Sequence, residues 1–166
     1  MAFIKLGENK VETIGSLPKL GETAPDFDLT AEDLSTKKLS DYRGSRVIMN
    51  IFPSIDTNVC ATSVRKFNER ATGLDNTVVL SISKDLPFAQ KRFAKDEKIN
   101  NLTNLSDFRD GNFGKNYGVE MISGDLRNLH SRAVLVLDEE GKVIHAQQVQ
   151  DIGEEPDYLS ALKSLL

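Results

Sequence analysis

The apolar positions of this chain recur at two spacings, and the switches between them lay out its elements. Phe3–Leu6 and Lys10–Ile14 alternate apolar and polar residues around Gly7-Glu8-Asn9, which predicts a small hairpin. GETAPDFDLT reads as a proline-marked turn and a short strand, and AEDLSTKKLSDYRG continues it through a second hairpin. The apolar run from Val47 to Phe52 predicts a buried strand that stops at Pro53. Period then changes: Cys60, Val64, Phe67 and Ala71 share one helical face, and Gly73 is placed to end that helix. Thr77 to Ser83 is a second buried strand, Pro87 opens a helix to about Lys98, and Leu102–Leu105 forms a short strand. DFRDGNFGKNYGV predicts a glycine-broken helical turn with loop. Arg132–Asp138 is a further buried strand, joined through EEGK to Lys142–Val149 as a hairpin. Pro156 starts a last helix, with Leu159, Leu162 and Leu166 expected on one face.

Composition changes this picture little. A chain of 166 residues, 39% hydrophobic and 28% charged, fits one domain, 1–166, with a sizeable core. The net charge of −4 gives no reason to expect nucleic acid or an anionic membrane as partner. No apolar run approaches transmembrane length, and MAFIKLGENK lacks the apolar core and cleavage site of a secretory signal. There is one cysteine, so no internal disulfide is possible, and a cytoplasmic location is the default expectation.

That cysteine, Cys60, carries the candidate chemistry. The pattern puts it where a strand hands over to the first turn of a helix, so unpaired backbone N–H groups can point at its sulfur. Such a position favours the thiolate, the nucleophilic form. Thr57 precedes Cys60 by three residues, the spacing of an N-cap and an N3 residue. A lone cysteine on an apolar helix face is more often packing than chemistry. Packing alone, however, would not require Pro53, Thr57 and Cys60 together.

The combination Pro53-x-x-x-Thr57-x-x-Cys60 resembles the active-site motif of the peroxiredoxins, and PSIDTNVCATSVRKFN resembles their thiol-peroxidase subfamily in particular. The resemblance continues through SDFRD, FGKNYGV, RAVLVLDEEGKV and EEPDY. It implies an α/β thioredoxin fold, a central mixed sheet flanked by helices, with an added N-terminal hairpin. It also implies a thiol-dependent peroxidase, one that reduces hydrogen peroxide and small alkyl hydroperoxides without metal or organic cofactor. Cys60 would become a sulfenic acid, Thr57 would orient the peroxide, and Pro53 would shape and shield the loop. Arg132 opens an apolar strand; the strand alone leaves it equally a solvated end or an inward anion holder. The resemblance implies the second, beside the thiolate. Thioredoxin or another thiol would be the reductant, and a homodimer the usual assembly.

Where the subfamily's two-cysteine members carry a resolving cysteine, after Pro-Phe-Ala-x-x-Arg-Phe, this chain has PFAQKRFAK and Ala94. A natural one-cysteine enzyme and an engineered cysteine-to-alanine replacement both fit. So does a peroxide-sensing or binding module on the same fold with little turnover. A monothiol disulfide reductase would leave Pro53 and Arg132 unexplained. His130 and His145 have no metal-ligand spacing with Cys60, and Arg65, Lys66, Glu69 and Arg70 read as a solvated helix face.

Overall fold

The computed structural model describes residues 2–166 and builds them around one mixed sheet of seven strands. A separate hairpin comes first: β1 (Phe3–Leu6) pairs antiparallel with β2 (Asn9–Glu12). The sheet itself comprises β3 (Asp28–Ala31), β4 (Thr36–Lys38), β5 (Arg46–Ile51), β6 (Thr77–Ser83), β7 (Thr103–Ser106), β8 (Ala133–Leu137) and β9 (Val143–Gln148). Their spatial order is β4-β3-β7-β6-β5-β8-β9. The inner strands β5, β6 and β7 run parallel, joined by helical crossovers, while β8 pairs antiparallel with β5. The helices are α1 (Asn58–Ala71), α2 (Pro87–Asp96), α3 (Asn112–Asn116) and α4 (Tyr158–Lys163).

Both faces of the central strands are covered, which is why these strands read as continuous apolar runs rather than alternating ones. Along β5, Val47, Met49 and Ile51 turn to the face packed by Phe27, Phe113 and Tyr117. Ile48 turns to the other face, where Phe67 of α1 meets Tyr158 and Ala161 of α4. At the end of that second face, Cys60 and Val64 of α1 form a smaller cluster with Phe52, Ile55 and Ile99, and Phe93 and Ala94 of α2 pack against it.

Several boundaries move by a residue or two from the sequence expectation, and a 3₁₀ turn at Leu39–Tyr42 was not anticipated. Helix α2 stops at Asp96, two residues early, because Lys98 takes a left-handed conformation (φ +55°) that ends the helix. The last helix departs more. Asp157, not Pro156, caps it, accepting from the Ser160 N–H. With that start, Tyr158 and Ala161 face the core. Leu159 is 57% exposed and Leu166 fully exposed, so the expected Leu159/Leu162/Leu166 face is wrong, and of the three only Leu162 packs inward.

Candidate active site

The turn from β5 into α1 brings the motif together. Pro53 is buried just past the strand, and Thr57 is the N-cap of α1 with extended backbone (φ −102°, ψ 146°). Its hydroxyl does not cap the helix; it donates to the Ser54 carbonyl at 3.0 Å, within its own loop. The first intrahelical bond runs from the Ala61 N–H to the Thr57 carbonyl at 2.9 Å. Cys60, at the third helical position, therefore lies among first-turn N–H groups without intrahelical acceptors.

Cys60 has no exposed surface, and its Sγ accepts from Arg132 Nη2 at 3.1 Å. Arg132, the residue just before β8, is 2% exposed and turned inward. Its Nε donates to the Ile152 carbonyl at 2.8 Å, which fixes the plane of the guanidinium. Its Nη1 is buried with no hydrogen-bond partner among the described residues. A buried guanidinium is costly unless something negative faces it. A Cys60 thiolate meets that need, and the free Nη1 leaves a further donor for an incoming oxygen.

Behind the sulfur a buried polar relay ties α1 to the sheet. Asn50 Nδ2 donates to Ser63 Oγ at 3.1 Å, and Ser63 Oγ donates to the Cys60 carbonyl at 2.7 Å. In front lies a pocket of about 200 Å³ bordered by Pro53, Thr57 and Arg132. Its other walls are largely apolar, with Leu6 from the N-terminal hairpin, Leu126, Leu129 and Ile152. Cys60 does not itself line this space; Arg132 joins the buried sulfur to it.

Sequence reasoning missed two residues here. Asp85, in the turn between β6 and α2, accepts from Ser54 Oγ at 2.8 Å and from the Ile55 N–H at 2.7 Å. Ile152 supplies the carbonyl that orients Arg132. Neither is near the motif in sequence; a polar Ser83-Lys84-Asp85 stretch ahead of a helix-opening proline was the only signal. The solvated face of α1 also carries ion pairs. Arg65 forks onto Glu97 at the end of α2 at 3.1 and 2.8 Å, and Lys66 pairs with Glu155 at 3.0 Å. Glu97 lifts the Arg65 pKa above its ordinary value, and Arg65 holds that of Glu97 below. Of the two histidines, His130 is fully buried with Nε2 2.8 Å from Asp107, and burial lowers the pKa of half-buried His145. Among the described residues no group of three or more His, Cys, Asp or Glu side chains is arranged to hold a metal ion.

With this geometry in view, the comparisons with known proteins agree. The family model described as Redoxin matches residues 19–162. A thiol peroxidase of Corynebacterium glutamicum is 48% identical over 165 residues, covering 99% of each chain. Among solved structures, a peroxiredoxin-like protein from Aquifex aeolicus superposes with a TM-score of 0.94 at 38% identity, over 99% of this chain and 96% of that one. A thiol peroxidase from Chromobacterium violaceum, at 20% identity over 99% and 96% of the two chains, shares the fold with a TM-score of 0.91. The chain belongs to the redoxin family, and within it to the thiol-peroxidase peroxiredoxins.

Proposed function

We propose that this protein is a thiol-dependent peroxidase in which the Cys60 thiolate reduces hydrogen peroxide and small alkyl hydroperoxides. The sulfur attacks the terminal oxygen of the hydroperoxide. An S–O bond forms as the O–O bond breaks, and the remaining oxygen leaves with the electron pair and takes a proton to give water or an alcohol. Cys60 is oxidised to sulfenic acid and the peroxide is reduced. The observation that carries this reading is the 3.1 Å contact between Cys60 Sγ and a buried guanidinium with one N–H group to spare. That donor is suited to the charge growing on the leaving oxygen. Thr57, whose hydroxyl can rotate from the Ser54 carbonyl, accepts from the peroxide and aims it. The apolar walls of Leu126, Leu129 and Ile152 suit an alkyl group and limit competing water.

The chain has no second cysteine, so the sulfenic acid is returned to thiol by an external reductant. One thiol condenses with it, releasing water and leaving a mixed disulfide; a second thiol attacks that disulfide and frees Cys60. Thioredoxin is the reductant that family resemblance favours. Multiple-turnover peroxide consumption with dithiothreitol, thioredoxin and glutathione tests the scheme, with Cys60→Ser expected to abolish it. Persistence of peroxide loss in that variant at the parent rate would overturn the assignment. Consumption of a single equivalent followed by arrest would instead favour the peroxide sensor, which Ala94 in place of a resolving cysteine keeps in play.

A homodimer is part of the same reading. Leu86, Phe88 and Phe108 are exposed large apolar side chains, and Leu86 and Phe88 flank the proline that opens α2. The Phe108 N–H donates to Ser106 Oγ, which itself donates to the Asp85 carbonyl, so Phe108 is tied to the same turn that Leu86 follows. Such a grouping is suited to burial against a second copy. Sedimentation that finds only an 18.4 kDa species would count against the dimer. No helix of the described residues is long and apolar enough to cross a membrane, and a cytoplasmic location is proposed as the default for a chain with a single cysteine.

A further inference from the structure

The loop that carries Thr57 over Cys60 has little local support. Residues 52–57 lie between β5 and α1, Thr57 and Asp56 are exposed, and the Thr57 hydroxyl is spent within the loop. A loop of this kind relies on what anchors it from outside. Phe52 and Ile55 pack into the cluster around Cys60, and one side chain supplies two of the hydrogen bonds that fix the polar part of the loop from outside.

We propose that Asp85 is a positioning residue for the peroxide step, holding the Ser54–Thr57 loop in register with Cys60 and Arg132. Its carboxylate accepts from Ser54 Oγ through Oδ1 at 2.8 Å and from the Ile55 N–H through Oδ2 at 2.7 Å. Ser83 Oγ donates to the same Oδ2 at 2.6 Å. The turn behind it is fixed in turn: the Asp85 N–H donates to Ser83 Oγ at 3.2 Å, and Gln90, buried in α2, donates to Ser83 Oγ at 3.3 Å. The consequence passes to Thr57 through two covalently linked groups of Ser54. Its side chain is held by Asp85, while its carbonyl accepts both the Thr57 N–H at 3.3 Å and the Thr57 hydroxyl at 3.0 Å. The strand end that leads to α2 thereby sets the position of the threonine that aims the substrate.

The donors at this place suit a carboxylate. Three donors converge on one side chain, and only a carboxylate accepts through both oxygens with no donor of its own. Asparagine at 85 can keep the Ile55 N–H and the Ser83 hydroxyl on its Oδ1 only by turning an N–H toward Ser54 Oγ, which must then reverse from donor to acceptor and lose a charge-assisted bond. Neither Cys60 nor Arg132 bonds to Asp85. Its removal should therefore disturb peroxide placement and leave the thiolate's own environment in place.

This inference rests on Cys60 being the peroxidatic thiol, and its test separates the two. Reduced parent, Asp85→Asn, Ser54→Ala and the double variant are each reacted in single turnover with an alkyl hydroperoxide, and separately with the neutral alkylating agent iodoacetamide at the same pH. Alkylation reads thiolate and access; the ratio of the two rate constants reads placement of the peroxide. The ratio is expected to fall about tenfold or more in Asp85→Asn, since small misplacements at a reacting centre carry losses of that order. Ser54→Ala should show a smaller fall, and the double variant should match Asp85→Asn. An unchanged ratio, whether both rates hold or both drop together, would overturn the proposal. If Asp85→Asn does not fold, Ser54→Ala decides it alone by the same ratio. A parent protein that alkylates at Cys60 yet ignores peroxide would instead sink the peroxidase reading itself.

Discussion

Arg132 reaches Cys60 across 72 positions of sequence, with Nη2 3.1 Å from Sγ while Nε of the same guanidinium is bonded to the Ile152 carbonyl. The two bonds use different nitrogens of one rigid planar group, so the tether to residue 152 decides where the charge sits relative to sulfur. Arg132→Ala should slow the single-turnover peroxide reaction by about 10²–10³, the usual cost of removing a preorganised donor. Arg132→Lys should recover little, because an ammonium on a flexible stem cannot hold the Ile152 carbonyl and the sulfur with the same geometry. Stopped-flow rates for lysine equal to the parent would show that charge alone suffices.

Oxidised Cys60 has no partner inside the chain. Its sulfenic acid waits for an external thiol, and a second peroxide can arrive first. Excess peroxide without reductant should therefore carry Cys60 to sulfinic and sulfonic acid, visible as successive one-oxygen gains in intact mass. A sulfenic form that persists for hours in excess peroxide would mean that the closed packing around Cys60 bars a second attack.

Much of this arrangement was legible in the sequence, for reasons that can be named. β5, β6 and β8 lie in the middle of the sheet with both faces covered, so their apolar runs are unbroken and hard to misread. The Pro53, Thr57, Cys60 spacing is local, and local spacing survives in a linear reading. Arg132 could be placed beside Cys60 only by resemblance, since its strand permitted two orientations. Asp85 was invisible because its meaning depends on the end of β6 meeting a loop that begins 31 residues earlier, at Ser54. The face of α4 was misjudged because the helix ends at Lys163, leaving Leu166 outside it, and because Tyr158, Ala161 and Leu162 supply its inward side.

Glu155 offers a pH test of the segment that holds Arg132. Lys66 lies 3.0 Å from its Oε1, and Tyr158 donates to the same oxygen at 2.9 Å. The Lys66 bond first, then the Tyr158 bond, keep the carboxyl below its ordinary value of 4.5, with Arg132 adding a smaller pull in the same direction. A carboxyl depressed in the folded state stabilises above its unfolded pKa and loses that contribution as pH falls through the folded one. Stability from Glu155 is thus intact at neutral pH and declines only below about 4.5. Its exposure keeps the amount under about 1 kcal/mol. Glu155→Gln should lower Tm slightly at neutral pH and flatten the acid-side decline in thermal melts. An unchanged slope there would detach Glu155 from the folding equilibrium.

Ala94→Cys should convert the chain into a two-cysteine peroxidase. Ala94 is half-buried on α2 and packs against the cluster that contains Cys60 and Val64, so the replacement sulfur starts on the correct side of the helix. A disulfide needs the two Cα atoms within about 7 Å, which requires α2 and the first turn of α1 to loosen together. Within α2 only Pro87 and Gln90 are fully buried, both toward its start, so opening its later part gives up chiefly the contacts of half-buried Phe93 and Ala94 with the Cys60 cluster. The Arg65–Glu97 fork also resists opening there, and its side chains are 44% and 36% exposed and open to solvent screening. The variant should form an intramolecular disulfide after one peroxide equivalent, resist over-oxidation, and become a substrate for thioredoxin. Adding Arg65→Ala should speed disulfide closure without changing the preceding peroxide step. Peptide mapping that finds no 60–94 link would mean that these two helices no longer separate, and that the chain is built for one-cysteine chemistry.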